Sequence, residues 1–191
     1  MKPEDLNAKI SLLEQMLDKL SGAVEEGNAV LNLPPAEGLI ADCQKGCIEI
    51  VSQIAEAASE AGFPVWLDGR SLLAASRTQT LLPWETSAEI GTTEECLRLI
   101  SAKCPELRVK ERTVSPVRRP AYGRMCPEVK VLVWSLKDGT ASLDGSEVVQ
   151  VPESQILPLG TCVLNGADLP RPAKAWKLLE AEFGEGWKTM L

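Results

Sequence analysis

The chain contains no histidine. The side chain that ordinarily acts as a base near neutral pH is therefore missing, and any catalysis must run on carboxylates, a cysteine or a bound metal. Six cysteines, Cys43, Cys47, Cys96, Cys104, Cys126 and Cys162, fall at irregular spacings with no C-x-x-C pair. Tetrahedral zinc draws on paired Cys or His ligands, so this spacing argues against a zinc site. Cys43 and Cys47 lie one helical turn apart on an apolar face, which suits buried thiols better than ligands or a disulfide. From Lys103 to Arg124 the chain gathers Lys103, Arg108, Lys110, Arg112, Arg118, Arg119 and Arg124 against only Glu106 and Glu111. This basic patch is either a solvated loop or a contact for a phosphate or an acidic partner, with Arg118, Arg119 and Arg124 as the candidate anion contacts. The formal charge of the whole chain is -7, which argues against nucleic acid as the main partner because phosphate binding needs a lysine and arginine surplus.

A chain of 191 residues, 45% hydrophobic and 25% charged, is long enough for one domain with a real core, or for a domain plus a helical arm. Leu6, Ile10, Leu13, Leu17, Leu20 and Val24 recur at spacings of four and three, a heptad seam over residues 6–24. The seam is short for an autonomous coiled coil, so it must pack on its own domain or on another protein subunit. Gly27 and Pro34-Pro35 separate this arm, residues 1–33, from a domain over residues 36–191. Within the domain, periodicity predicts a helix over 36–61, with Leu39, Cys43, Cys47, Ile50, Ile54, Ala57 and Ala61 on its apolar face. Gly62 stops it, and a buried strand over 65–67 follows. The pattern then predicts a short helix over 71–77, a strand over 85–91 and a helix to about residue 103, opened by a capping box of Thr92 and Glu95.

Residues 107–114 and 128–134 alternate in the strand manner, and Asp138-Gly139 starts a hairpin back through Leu143. Asn165-Gly166 signals a second hairpin, and a helix over 172–183 closes the pattern, with Trp176, Leu179 and Phe183 inward and Gly184 at its end. Interleaved strands and helices predict an α/β (α+β) domain: a mixed sheet flanked by helices. No apolar run approaches the length of a membrane span, and the N-terminus reads as neither a signal nor a transit peptide. The expectation is a soluble intracellular protein, cytoplasmic or, within a complex, mitochondrial or in another organelle.

Two stretches bear on function. The first is WLDGRSLLAASRTQTLLPWETSAEIG, from Trp66 to Gly91, and the second is LNGADLPRPAKAWKLLEAEFGEGW, from Leu164 to Trp187. Together they resemble the LicD/fukutin family, whose members transfer a phosphorylated alcohol such as phosphocholine or ribitol phosphate from a cytidine nucleotide to a glycan. The first is similar to that family's Leu-Asp-Gly-Gly-Thr-Leu-Leu-Gly, a nearby Arg, and Pro-Trp ahead of an Asp-rich strand. The second is similar to its closing motif of a Gly-containing hairpin, a Pro and a helix ending in aromatic-Gly and Trp. The resemblance spans most of residues 39–187 and implies a nucleotidyltransferase-like fold. It sets Asp68, Arg77 and Trp84 at family positions and Gly69, Arg70 and Ser71 in the phosphate-cradling turn. Magnesium and a cytidine nucleotide would be the cofactors of an active member.

Where the chain departs from the family it loses charge. Transferases of this kind need two carboxylates at i, i+2 on one strand, so that both face one magnesium pair. Matching Pro83-Trp84 puts Ser87 and Glu89 in that pair, and a serine hydroxyl is a weak magnesium ligand. On a straight strand Glu85 would lie roughly 13 Å from Glu89, at about 3.3 Å per residue. The strand expected to bring a third acid, residues 129–134, carries Lys130 and none. Arg70 fills a glycine position of the phosphate turn. The leading expectation is thus a pseudoenzyme, with no catalytic residue, metal or cofactor, that serves as a structural or interaction subunit docked through the heptad face. Asp68 would then cap a helix, Arg77 would pair with Glu85 or Glu89, and Trp84 would fill the core. The alternative is an active metal-dependent phosphotransferase in which Asp68, Glu85 and Glu89 are catalytic, Glu85 and Glu89 bind the metal, and Gly69, Arg70, Ser71 and Arg77 contact the nucleotide.

Overall fold

A computed structural model describes residues 36–118, 127–146 and 148–190. The heptad arm, Arg119, Arg124 and Cys126 lie outside the described residues. The first described helix, α1 (Gly38–Glu60), buries Cys43, Cys47, Ile50 and Ile54, while Leu39, expected inside, is exposed. After it come β1 (Val65–Leu67), α2 (Gly69–Arg77), β2 (Ser87–Thr93) and α3 (Glu94–Lys103). The middle of the chain forms β3 (Leu107–Lys110), β4 (Thr113–Pro116), β5 (Glu128–Lys137), β6 (Thr140–Leu143) and β7 (Gln150–Pro152). The final part holds β8 (Gly160–Leu164), β9 (Ala167–Arg171) and α4 (Ala175–Phe183), with 3-10 turns at Glu153–Gln155 and Glu185–Thr189.

One sheet organises these elements. Its order is β1-β2-β5-β4-β3, with β6 and β7 continuing from the far half of β5. β2 and β5 run parallel, joined by the crossover through α3 and the β3-β4 hairpin, and the other described pairs are antiparallel. The expected mixed sheet flanked by helices is therefore the observed architecture. Alternation gives β2 and β5 two different faces. Ala88, Ile90 and Thr92 lie beside Val129, Val131 and Val133, all of them buried, on the face covered by α1 and α3. Ser87, Glu89 and Gly91 lie beside Glu128, Lys130 and Leu132 on the other face, where α2 sits with α4 packed against it.

Several boundaries differ from the sequence reading, each for a local reason. Residues 107–114 are two strands, because Glu111 takes a positive φ of 56° and turns β3 back into β4. The cap of α3 is Thr93, whose Oγ1 accepts from Cys96 N at 3.4 Å. Thr92 is instead buried in β2 and donates its hydroxyl to Pro64 O at 2.7 Å. The last helix begins at Ala175, past Pro172, and turns Leu178 and Leu179 inward, so that Trp176 is 51% exposed. The Asn165-Gly166 hairpin is as expected, with φ of 49° and 79° at the two turn residues. Asn165 also accepts Leu81 N at 2.7 Å, tying the hairpin to the loop after α2.

Candidate functional site

The carboxylates singled out in the sequence meet at the N-terminal end of α2. β1 ends at Leu67, and Asp68 caps the helix as expected, its Oδ1 accepting Gly69 N at 3.0 Å. Asp68 is 0% exposed, and its Oδ2 accepts Trp134 Nε1 from β5 at 2.6 Å. Burial pushes its carboxyl above the usual carboxylate range, against the pull of these donors. Two glycines make the approach possible. A Cβ on Gly69, which has a φ of 48°, would run into Glu89 Oε2, and one on Gly91 would run into the Trp66 indole and Asp68 Oδ2.

Arg70 lies over this cap. Its backbone N donates to Glu89 Oε2 at 2.7 Å, and its Nε and Nη2 donate to Glu89 Oε1 at 3.2 and 3.0 Å. Arg70 Nε is also 3.7 Å from Glu85 Oε1. Glu85 is thus not four residues away along a straight strand, as expected. A turn returns Glu85 N to Leu82 O at 2.9 Å, and Glu85 Oε2 accepts Leu82 N at 3.3 Å. The bend brings both acids to one guanidinium. Burial pushes the Glu85 carboxyl up, partly offset by its bond to Leu82 and by the charge of Arg70. Ser71 Oγ accepts Glu89 N at 2.8 Å, so its contact is to strand backbone. Lys130 lies beside Glu89 in register, and its charge acts on Glu85.

Two expected roles are overturned. Arg77 pairs with neither Glu85 nor Glu89. It is 6% exposed, its Nε is buried with no partner among the described residues, and burial pulls its guanidinium below its ordinary value. One turn of helix separates successive positions on a face, and Arg77 sits two turns beyond Arg70, out of reach of the cap. Trp84 is 61% exposed instead of filling the core, because it occupies the outer corner of the turn that buries Glu85.

The sequence reading missed Glu182. This acid follows Leu178 and Leu179 by four and three residues on α4, so it shares their inward face. Its Oε1 is buried with no partner among the described residues. Burial and the charge of Asp68 push its carboxyl far above the ordinary range. An acid at i+3 and i+4 from an apolar pair on a helix was the available signal. Among the described residues no group of three or more His, Cys, Asp or Glu side chains has the arrangement of a metal site. Two clefts, of about 690 Å³ between α1 and the β3-β4 edge and about 710 Å³ between α3 and the β5-β6 hairpin, are not lined by Asp68, Arg70, Glu85 or Glu89.

The chain is similar to the solution structure of the antibiotic-resistance factor ANT(2'')-Ia, with 14% identity and a TM-score of 0.45 over 71% of this chain and 68% of that one. It is also similar to the crystal structure of ANT(2'')-Ia in complex with adenylyl-2''-tobramycin, with 15% identity and a TM-score of 0.41 over 66% and 68%. No family model and no curated protein matches it. The resemblance is one of fold alone. The membership of the LicD/fukutin family expected from the sequence is corrected, because no family model matches the chain; what the structure shows is a mixed α+β domain with a sheet flanked by helices. The two stretches that suggested the family are a strand, cap and helix and a tight hairpin followed by a helix, units that many mixed sheets require. No described helix is long and apolar enough to cross a membrane.

Proposed function

We propose that this chain is a catalytically inactive, nucleotidyltransferase-like domain that serves as a structural or interaction subunit of a larger assembly. The observation behind this reading is the seat of Arg70 on Glu89 and Glu85. The Arg70 guanidinium donates twice to Glu89 Oε1 and its backbone N donates to Oε2, so the chain's own groups already occupy the acid that the metal-dependent reading would give to magnesium. Ser87 offers only a neutral oxygen, and Lys130 adds a second positive charge beside Glu89, which disfavours a divalent ion. Asp68 faces inward to Trp134 and Gly69. These residues do not fit a two-metal site. The heptad face at Leu6, Ile10, Leu13, Leu17, Leu20 and Val24 is the proposed docking element, and Arg118, Arg119 and Arg124 are proposed as a contact for an anionic partner.

One observation favours the competing reading of an active metal-dependent phosphotransferase. The turn at Leu82 brings Glu85 and Glu89 to a common point, which would form a ligand pair once Arg70 swings away. Titration calorimetry of the full chain with magnesium and cytidine or adenine nucleotides separates the two. The inactive reading expects no metal-dependent binding. Tight, metal-dependent binding that disappears in Glu89→Ala would establish the active one. Arg70→Ala frees both acids and is expected to gain manganese binding at a dissociation constant of about 1 mM, the weak affinity of a site with few ligands. Paramagnetic broadening of the water resonance reads that gain. For the docking role, Leu13→Glu with Leu17→Glu is expected to remove the protein from any large complex it enters in its native source. Unchanged migration on size-exclusion chromatography would remove that role.

A further inference from the structure

β3 stands at one end of the sheet. Among the described residues it pairs with β4 and with no other strand. The phase of that pairing fixes which backbone groups are left over. Glu106 O accepts Val117 N at 2.8 Å, so the peptide groups of Glu106 and Val117 are turned toward each other. In an antiparallel pair such residues recur at every second position, which makes Arg108 with Ser115 and Lys110 with Thr113 the bonded pairs of this register. Leu107 and Val109 turn their peptide groups the other way, off the edge. Leu107 N donates to Cys104 O at 2.9 Å. The N–H and C=O of Val109 and the C=O of Leu107 have no partner among the described residues.

Side chains alternate along the same strand. Leu107 is buried and Val109 half-buried against the core, whereas Arg108 and Lys110 are exposed on the opposite face. Lys110 stands beside Thr113, and Thr113 beside Lys130. A third exposed cation therefore shares that face, about 10 Å from Lys110 at two interstrand spacings. None of the three has an ion-pair partner among the described residues, whereas Arg112 at the hairpin tip is engaged with Asp144. Edge and charge together select the occupant. Two copies of the chain joined edge to edge across a two-fold axis would set Arg108 and Lys110 against their own kind, and like charges opposed across strands are destabilising. A nucleic acid would meet a formal charge of -7 over the rest of the chain. An extended acidic polypeptide satisfies both the open peptide groups and the cations.

We propose that the open edge of β3 receives an extended acidic segment of a partner protein as an added strand. Acids at alternate positions of that segment face Arg108 and Lys110, with Lys130 further in on the same face. The residues between them are apolar and lie beside Leu107 and Val109. Backbone bonds to Val109 supply affinity, and the alternation of acidic and apolar side chains supplies specificity. In the free chain the same cations keep the edge from pairing with another copy. The proposal rests on the reading of the chain as an interaction subunit, but not on its catalytic inactivity, and it uses a surface separate from the heptad face.

The probe is a fluorescein-labelled peptide of alternating Glu and Val, blocked at both ends and titrated into the full chain. Fluorescence anisotropy reads its binding, and nitrogen-proton NMR follows the Val109 amide. Saturable binding with a shift of that amide is expected. A peptide of the same composition with its Glu residues contiguous is expected to bind about tenfold more weakly, because its acids cannot all reach one face of a strand. Val109→Pro deletes the outward N–H and leaves the ladder to β4 intact, the one strand position where Pro is tolerated. Its affinity is expected to fall by about tenfold, the loss of one hydrogen bond. Should Val109→Pro not fold, Arg108→Glu with Lys110→Glu, both exposed, is expected to weaken binding by about tenfold or more. No saturable binding, equal binding of the two peptides, an unmoved Val109 amide, or tighter binding of a thymidine oligonucleotide of equal charge would overturn the proposal. The readout is peptide affinity and not entry into a complex, so the β3 edge and the heptad face stand or fall separately.

Discussion

At Gly91 the sheet carries no side chain, and the Trp66 indole and the Asp68 carboxylate close into the space from one side. Both neighbours are confined, the indole by the core and the carboxylate by Gly69 N and Trp134 Nε1. Gly91→Ala is therefore expected to destabilise the domain by about 1–3 kcal/mol, the range for overpacking a filled interior. Urea unfolding measures it, and an unchanged midpoint would show that the indole can move aside. Trp134 offers a second probe of the same cluster. Trp134→Phe preserves most of the ring volume but withdraws the donor to Asp68 Oδ2, leaving a buried acceptor underbonded at about 1–3 kcal/mol. A loss well below 1 kcal/mol in the same assay would mean that another group or a water takes over the bond. The position of Asp68 as a cap was legible in the sequence, because Asp before a helix has a defined backbone task. Its contact with Trp134 was not, since 66 residues separate the partners.

At the scale of elements, the position of the α3 cap decides which of two adjacent threonines matters for the helix. Thr93 caps it while Thr92 is committed to the strand. Thr93→Ala is expected to cost about 1 kcal/mol, the usual loss for a helix cap. A neutral effect in chemical denaturation would remove the cap assignment. Helix and strand identities were readable because 3.6-residue and 2-residue periods differ over even short windows. Their ends were not, because Glu111 and Thr93 take conformations dictated by the strand or helix each must join. The same limit explains Glu85. Extended geometry set it far from Glu89, and only the turn that returns Glu85 N to Leu82 O brings the two acids to Arg70.

For the molecule as a whole, three buried or partly buried acids shift in one direction. Asp68, Glu85 and Glu182 all have carboxyls raised above the ordinary range, each mainly by burial. A raised folded value means that the folded chain binds more protons than the unfolded one. The corresponding stability is present below about pH 4 and is lost as pH rises. The formal charge of -7 acts in the same sense, because self-repulsion grows as acids ionise. The melting temperature is therefore expected to fall between about pH 5.5 and pH 8.5, a window above the ordinary carboxylate range. Asp68→Asn combined with Glu182→Gln is expected to flatten that slope. A melting temperature that rises across the window would contradict the assignment of these acids as the dominant titrating groups.

By itself the sequence determined the class of fold, the absence of histidine from any chemistry, and the local tasks of Asp68 and the Asn165-Gly166 turn. These follow from composition, from periodicity, and from steric rules acting over a few residues. Tertiary structure decided which charges meet. Arg70 engages Glu89 across 19 residues, and Glu182 buries an oxygen of its carboxyl from the last helix of the domain. Arg77 remains buried without the partner expected for it, and Trp84 stands in solvent. Contacts of this kind depend on how helices seat on a sheet, and sheet order and helix placement are set by the packing of the whole core. No spacing within a short stretch encodes that packing.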